Sequence, residues 1–153
     1  MTKHILRSCI IVALLALTAM QPMASTHEAP RLEGVWKVSV TVRDCATGDV
    51  IRTPRALNLF MHDGSVTETA DNPLRSSSVG QWRHLQGNSY TSTFWFFRRN
   101  PDGTFAATVK VTRTIELSDD GDHFVSTGTV EDFNADGVVI SSACSTETAE
   151  RLE

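Results

Sequence analysis

The stretch from Leu32 to Arg43, reading LEGVWKVSVTVR, constrains the fold more than any other part of the chain. From Trp36 onward, apolar residues alternate with polar ones, which is the period of a strand with one buried and one solvated face. Gly34 allows a close approach of the backbone, and Trp36 is expected to point into the core. This stretch therefore predicts an opening strand at 34–43 of an all-β protein.

Seven further stretches have strand character, and none after residue 33 has helical periodicity. They are 54–62, 65–70, 79–86, 89–98, 104–117, 122–133 and 138–150. Short turns such as Asp63-Gly64 and Gly87-Asn88 join most of them, so sequence neighbours should pair antiparallel. Because eight meandering strands lose their exposed edges only by closing, we expect an eight-stranded antiparallel up-and-down (meander) barrel. It would span 34–152 as one domain, without a C-terminal helix.

The amino-terminal segment has the composition of an export signal. Lys3 and Arg7 precede an apolar run at 9–20, and small residues follow that run. The run is too short for a permanent bilayer span. We therefore expect a signal peptide at 1–25, a flexible leader at 26–33, and a periplasmic or secreted protein with no membrane insertion after signal removal.

Removal of this segment makes the chain more acidic. It carries Lys3 and Arg7 and no acidic residue, so the net charge of −4 becomes −6 for the remainder. An acidic domain without a basic patch argues against nucleic acid as a partner. The sequence does not specify an oligomeric state.

Two cysteines remain once Cys9 has left with the signal. In an oxidising compartment Cys45 and Cys144 are expected to form a disulfide rather than stay as free thiols. A closed barrel also requires the first and last strands to pair, and facing residues in an antiparallel pair have a nearly constant sum of numbers. The pair Cys45 with Cys144 and the pair Trp36 with Arg151 fit one such register. We therefore expect the Arg151 guanidinium to stack on the Trp36 indole.

These features resemble the lipocalin/calycin superfamily of small barrels. The resemblance rests on Gly34-x-Trp36 in the first strand, on the eight-stranded meander, and on Arg151 near the end of the last strand. It implies that Gly34, Trp36 and Arg151 are structural residues that close one end of the barrel. The Thr-Asp-Tyr type of motif is missing from 118–123, so the chain is calycin-like rather than a true lipocalin. Avidin-type barrels open with a similar motif, which leaves the subfamily undecided.

The long connections at 44–52 and 71–78 fall at the same end of such a barrel, which predicts a mouth there and a tight base at the other end. Ligand sites commonly lie in the mouths of small barrels. The resemblance suggests a small hydrophobic molecule as ligand and partner, although the interior could instead be filled. The stretch 89–98 is apolar on both faces, so either Phe94 and Phe96 or Trp95 and Phe97 could face the interior. We expect the following residues to form the ligand-binding wall: Val40, Leu57, Phe96, Phe105, Ala107, Val109, Arg113 and Ile140.

Arg113 is a charged residue on the otherwise apolar face of 104–117. A buried arginine must be paired or hydrated. It could hold a ligand carboxylate inside the barrel. The alternative, which we favour, is a structural ion pair with Glu131 or Glu147, or an extended side chain that reaches the rim.

Motifs for metals or catalysis are weak in this sequence. The segment 132–137 matches the first half of a calcium loop, but Ala143 stands where the bidentate glutamate is needed, and a hairpin turn explains the same residues. The histidines His62, His84 and His123 lack the close spacing of a zinc site. We therefore assign no metal, no cofactor and no catalytic residue.

Three functional classes follow from the expected barrel. The first is an exported binding protein for a small hydrophobic molecule. The second is a small isomerase or cyclase acting on an apolar substrate, which would need Arg113, a histidine and an acid to converge at the cavity. The third is a structural or interaction module with a filled core.

Overall fold

The computed structural model describes residues 31–152. The expected signal peptide at 1–25 and most of the expected leader at 26–33 lie outside these residues. Within the described end of that leader, Leu32 is fully buried and accepts a hydrogen bond from the Trp36 Nε1 at 2.9 Å. The packed structure therefore includes residues just before the first strand.

The described chain folds into strands joined by turns and loops. They are β1 (Gly34–Arg43), β2 (Val50–Arg52), β3 (Arg55–Phe60), β4 (Ser65–Ala70), β5 (Ser78–Gln86), β6 (Ser89–Arg99), β7 (Phe105–Leu117), β8 (His123–Phe133) and β9 (Val139–Leu152). The eight longer strands match the predicted ones to within two residues at each end. The short strand β2 was not predicted, because its residues follow a turn and precede Pro54. It continues the line of β3, since both pair with β1 and Pro54 accepts a hydrogen bond from the Val40 amide at 2.9 Å.

The barrel closes between its first and last long strands, and all its pairings are antiparallel. Consecutive strands pair from β3 through β9, β1 pairs with β3, and β1 also pairs with β9 from Val35–Leu152 to Arg43–Cys144. Trp36 lies opposite Arg151 in this register. The predicted eight-stranded antiparallel up-and-down barrel is therefore confirmed. Residues 31–152 include no helix of the length and apolarity needed to cross a membrane.

The predicted disulfide is present at the junction of these two strands. Cys45 follows the end of β1, and its Cα lies 5.1 Å from that of Cys144 in β9. The bond therefore fastens the closing seam at the end of the barrel that carries the loop 44–49.

Aromatic side chains fill the lower half of the barrel, which is the half around Trp36 and farthest from the disulfide. Trp36 and Phe124 are in contact at 4.9 Å between ring centroids, and Phe60 lies 6.2 Å from Phe124 and 6.1 Å from Trp82. Aliphatic residues such as Ile115 complete this core. Such packing leaves the opposite half, below the loops 44–49 and 71–77, as the place for a cavity.

In β3 the inward and outward faces are the reverse of those that we expected. Leu57 is 51% exposed, whereas Ala56, Asn58 and Phe60 are buried, so the expectation that Leu57 lines the interior is wrong. The cause is Asn58, a polar residue that the barrel buries among charged partners. Because polar residues were assigned to the outside, this one residue reversed the phase of the strand.

Two further expected wall residues point outward, one of them because of a β-bulge. Phe105 is 44% exposed and lies against Phe97, since the register with β6 shifts between Arg98 and Arg99. Ile140 is 57% exposed and lies where the β8–β9 register shifts between Asp132 and Phe133. An extra residue in one strand moves the following side chain to the other face, so strict alternation with Ala107 and Val109 gives the wrong side for Phe105. Ile140 has the opposite parity to the buried Glu147 and Ala149, so alternation along β9 by itself places it outside.

Candidate ligand site at the barrel mouth

The base of the barrel is closed by Trp36 and Arg151. The Arg151 guanidinium lies 4.2 Å from the centroid of the Trp36 ring, as the register argument predicted. A Cβ on Gly34, whose φ is +126°, would lie 2.7 Å from Nη1 of Arg151. A glycine is therefore required at this position both by its backbone conformation and by the space that the guanidinium occupies.

A cavity of about 50 Å³ lies in the upper half of the barrel and is partly open to solvent. Its wall is mainly apolar, and charged side chains lie at its inner end and at its mouth. The lining residues are Val40, Val42, Arg52, Pro54, Ala56, Glu68, Ala70, Asn72, Arg75, Phe94, Phe96, Arg98, Val111, Val130, Ser145 and Glu147. The space corresponds to roughly three to five water positions, because one water needs about 10–15 Å³.

The structure brings only part of the expected wall to this cavity. Val40 and Phe96 line it, and Phe94 joins Phe96, which settles the open phase of β6. Ala107 and Val109 are buried in the core without lining the cavity. Leu57, Phe105 and Ile140 lie on the outer surface, as described above.

Arg113 is buried beneath the cavity in an ion cluster that we call the inner cluster: Asn58, Glu68, Arg75, Ser92, Arg113, Ser126 and Glu147. Its side chain has no exposed surface and forms a direct ion pair with Glu147. Glu68 approaches the same Nη1 atom at 3.9 Å, and Ser92 accepts a hydrogen bond from Nε at 2.8 Å. The structural ion pair expected with Glu147 is therefore present. The other candidate partner, Glu131, instead pairs with Lys110 at 3.3 Å.

Uncharged polar residues supply further hydrogen bonds to the charged groups of the inner cluster. With its amide oriented to match its neighbours, Asn58 accepts from Nη2 of Arg113 at 2.8 Å and donates to Oε2 of Glu68 at 2.9 Å. Ser126 donates to Oε2 of Glu147 at 2.8 Å. Buried charges are tolerated only when such partners are present, so the inner cluster is a fixed polar floor below the cavity.

Glu68 is the carboxylate of this cluster that lies closest to the loop 71–77. Burial raises its pKa, the negative charge of Glu147 raises it further, and Arg113 and Arg75 oppose the rise. Oε1 of Glu68 lies 3.0 Å from Nη2 of Arg75, close enough for an ion pair although not aligned as a hydrogen bond. Burial lowers the pKa of Arg75. Glu68 and Arg75 thus connect the polar floor to the mouth.

Three arginines occupy the mouth of the cavity. The Arg75 guanidinium lies 3.6 Å from the centroid of the Phe96 ring, which it covers. Arg98 donates two hydrogen bonds to Asp132, at 2.5 and 3.0 Å. Arg52 is half-buried beside them, and burial, followed by the nearby charge of Arg98, lowers its pKa. The mouth is therefore more cationic than the acidic chain as a whole.

The sequence reasoning missed most of these charged residues. Arg52 and Arg75 lie in or next to stretches that the sequence assigned to loops, where no alternation indicates direction. Glu68 had a usable signal, because it shares its parity with the buried Val66 on β4. Glu147 shares its parity with Ala149 and was recognised only as a partner for Arg113.

The described histidines and the calcium-like segment lie outside this cavity. His62 faces Glu33 at 3.3 Å, His84 contacts the Gly87 carbonyl and His123 lies near Asp120. Residues 134–138 form a hairpin turn in which the side chain of Asn134 accepts hydrogen bonds from the amides of Asp136 and Val138. Among residues 31–152, no group of three or more potential metal ligands converges.

Comparison of the chain with protein-family models, with curated proteins and with solved structures found no match.

Proposed function

We propose that this protein is an exported, calycin-like barrel that binds a small molecule at its mouth, with the apolar part of the ligand inside. The observation that carries the proposal is the cavity of about 50 Å³, with an apolar wall, at the open end of an otherwise filled barrel. Concave, mainly apolar spaces with a few oriented polar groups are the usual form of small-molecule sites.

The size of the cavity limits the ligand. It is far smaller than the roughly 300–1,000 Å³ typical of sites for drug-sized molecules. This volume suits a short aliphatic chain beside lining residues such as Val40, Phe96 and Val111, and it is too small for a bulky ring system. The proposed ligand is therefore a short-chain molecule, or a longer one of which only the tip enters.

Export and family membership rest on separate observations. The Cys45–Cys144 disulfide is typical of an oxidising compartment, and the first 25 residues have the composition of a signal peptide. The stacked pair of Trp36 and Arg151 beside Gly34 supports a calycin-like barrel. Amino-terminal sequencing of the protein from its native host tests export, and an intact start at Met1 would contradict it.

Binding is tested first with the natively purified protein. Mass spectrometry under non-denaturing conditions is expected to reveal a co-purifying small molecule. NMR titration with butanol, hexanol and octanol then tests binding directly, and shifts are expected at the amides of Val40, Phe96 and Val111. An empty protein whose spectrum is unchanged by all three alcohols would contradict the proposal.

A cavity-filling variant locates the site. Ala70 lines the cavity near the end of β4, whereas Thr69 is exposed on the opposite face of the same strand. We expect Ala70→Phe to abolish the alcohol-induced shifts and Thr69→Phe to retain them, with both variants checked for a folded spectrum. Unchanged binding by folded Ala70→Phe would exclude this cavity as the site.

A further inference from the structure

Arg52 is the charged residue at the mouth whose role the fold does not explain. Its side chain is half-buried and lines the cavity. Within residues 31–152 the guanidinium of Arg52 forms no hydrogen bond and no ion pair, although Arg98, Asp132 and Arg75 are near enough to influence it electrostatically. Partial burial of an unpaired cation costs free energy, so a partner for Arg52 would stabilise this arrangement.

The charges around the cavity show what kind of partner is missing. Each of the other three arginines has its own carboxylate: Arg113 has Glu147, Arg75 has Glu68, and Arg98 has Asp132. The Asp132 carboxylate already accepts hydrogen bonds from Nη1 and Nη2 of Arg98 and from the Ser141 hydroxyl. The described surroundings of the cavity therefore hold four guanidinium groups against three carboxylates, an excess of one positive charge at Arg52.

The excess positive charge lies at the open end of the cavity, and the wall further in is apolar. Arg52 lies at the open end, beside Pro54 and Val42, while Val111 and Phe94 line the cavity further in. A molecule with its aliphatic chain inside would present its other end to Arg52. The planar guanidinium fork binds carboxylates through paired, charge-assisted hydrogen bonds.

We infer that the ligand is a short-chain monocarboxylate, with its aliphatic chain in the cavity and its carboxylate bound by Arg52 at the mouth. This inference rests on the proposed function and specifies the ligand of that same site. A single negative charge balances the single excess cation, and the small volume admits a short chain. Arg75 and Arg98 are already neutralised by Glu68 and Asp132, so the carboxylate of the ligand pairs with Arg52.

The test compares two ligand series of equal chain length. Butanoate, hexanoate and octanoate are titrated at neutral pH in parallel with the corresponding primary alcohols, with affinity measured from NMR shifts. Because a hydrogen bond to a charged group contributes roughly 1.5–3 kcal/mol, we expect each carboxylate to bind about tenfold or more tightly than its alcohol. Added salt should reduce this preference.

Variants assign the preference to Arg52. Arg52→Gln should bring carboxylate affinity down to that of the alcohol, and Arg52→Lys should restore part of the preference because it restores the charge. Arg55→Gln is the matched control: Arg55 is exposed on neighbouring β3 and pairs with Asp71 at 3.0 Å. This control should keep the full preference.

The possible outcomes separate this inference from the proposed function. Equal binding of alcohols and carboxylates would overturn the inference and leave the binding function standing. Failure of both series to bind would overturn both. A carboxylate preference that survives in folded Arg52→Gln, or that falls equally in Arg55→Gln, would overturn the assignment to Arg52.

Discussion

The guanidinium of Arg151 covers the indole of Trp36 at 4.2 Å and also binds three backbone carbonyls. Nε donates to Gly121 at 2.8 Å, and the two terminal nitrogens donate to Glu33 and Arg31 at 2.5 and 2.6 Å. One side chain thereby joins the last strand, the β7–β8 turn and the segment before β1. Closure of the base depends on this arginine rather than on the indole alone.

Replacement of Arg151 is expected to be costly for stability. Arg151→Met keeps the apolar stem but removes the charged hydrogen bonds and the cation–π contact, so we expect a loss of about 2–4 kcal/mol in the free energy of unfolding. Chemical denaturation measures this loss. The control Arg83→Met changes an exposed arginine on β5 and should stay within about 0.5 kcal/mol. Equal effects of both substitutions would contradict the role given to Arg151.

Loss of the disulfide should destabilise the protein through the unfolded state. Cys45 and Cys144 are 99 residues apart, and a loop of about that length predicts up to about 4.7 kcal/mol in the chain-entropy model, with about 2–5 kcal/mol typical of measured cases. We expect the Cys45→Ser, Cys144→Ser double variant to melt at a lower temperature, as wild type should with a reductant. Identical melting with and without a reductant would show that the bond does not form or does not stabilise the fold.

Glu147 should matter far more than an exposed glutamate on the same strand. Glu147→Gln leaves Arg113 buried without its direct anionic partner, and we expect a loss of about 3 kcal/mol, the lower part of the range for broken buried pairs. Glu150 is 64% exposed and pairs with Lys37 at the surface, so Glu150→Gln should cost no more than about 0.5 kcal/mol. Urea unfolding of the two variants distinguishes them. Comparable losses would mean that the inner cluster is hydrated rather than dry.

Glu68 should give the protein a distinctive dependence on pH. Burial raises its pKa above the ordinary value of 4.5, so the folded state holds this proton more tightly than the unfolded state does. The resulting stabilisation is complete below about pH 4.5 and is lost as pH rises through the raised pKa, by up to about 1.4 kcal/mol per pH unit. Glu68→Gln should remove this slope, as measured by unfolding free energy across the acidic to neutral range. Parallel curves for variant and wild type would contradict this assignment.

The fold was predictable because its strands follow from local alternation and because residue numbers alone give the register between the first and last strands. The alternation at Trp36, Val38 and Val42 and the turn residues gave the strands, and the pairing of Trp36 with Arg151 gave the register of closure. These features depend on the two-residue period of a strand, which a single sequence displays directly.

The site was less predictable because it breaks the rule, used to predict the fold, that apolar residues face the interior and polar residues face solvent. Asn58, Glu68 and Glu147 are polar residues on inward faces, and they are buried only because Arg113 and Arg75 supply partners from distant strands. A single sequence does not show such pairings in advance, except where a lone charge such as Arg113 stands on an apolar face. The bulge near Phe105 added a second error, since an extra residue leaves no mark in the alternation.

The pairing of β1 with β9 also determines when the molecule can finish folding. During synthesis at about 5–20 residues per second, the 99 residues between the two cysteines take roughly 5–20 s to emerge. Throughout that interval β1 lacks one of its neighbours and Cys45 lacks its native thiol partner. The barrel therefore cannot close until β9 is available, and every truncation before β9 leaves an open sheet with two edges available to other chains.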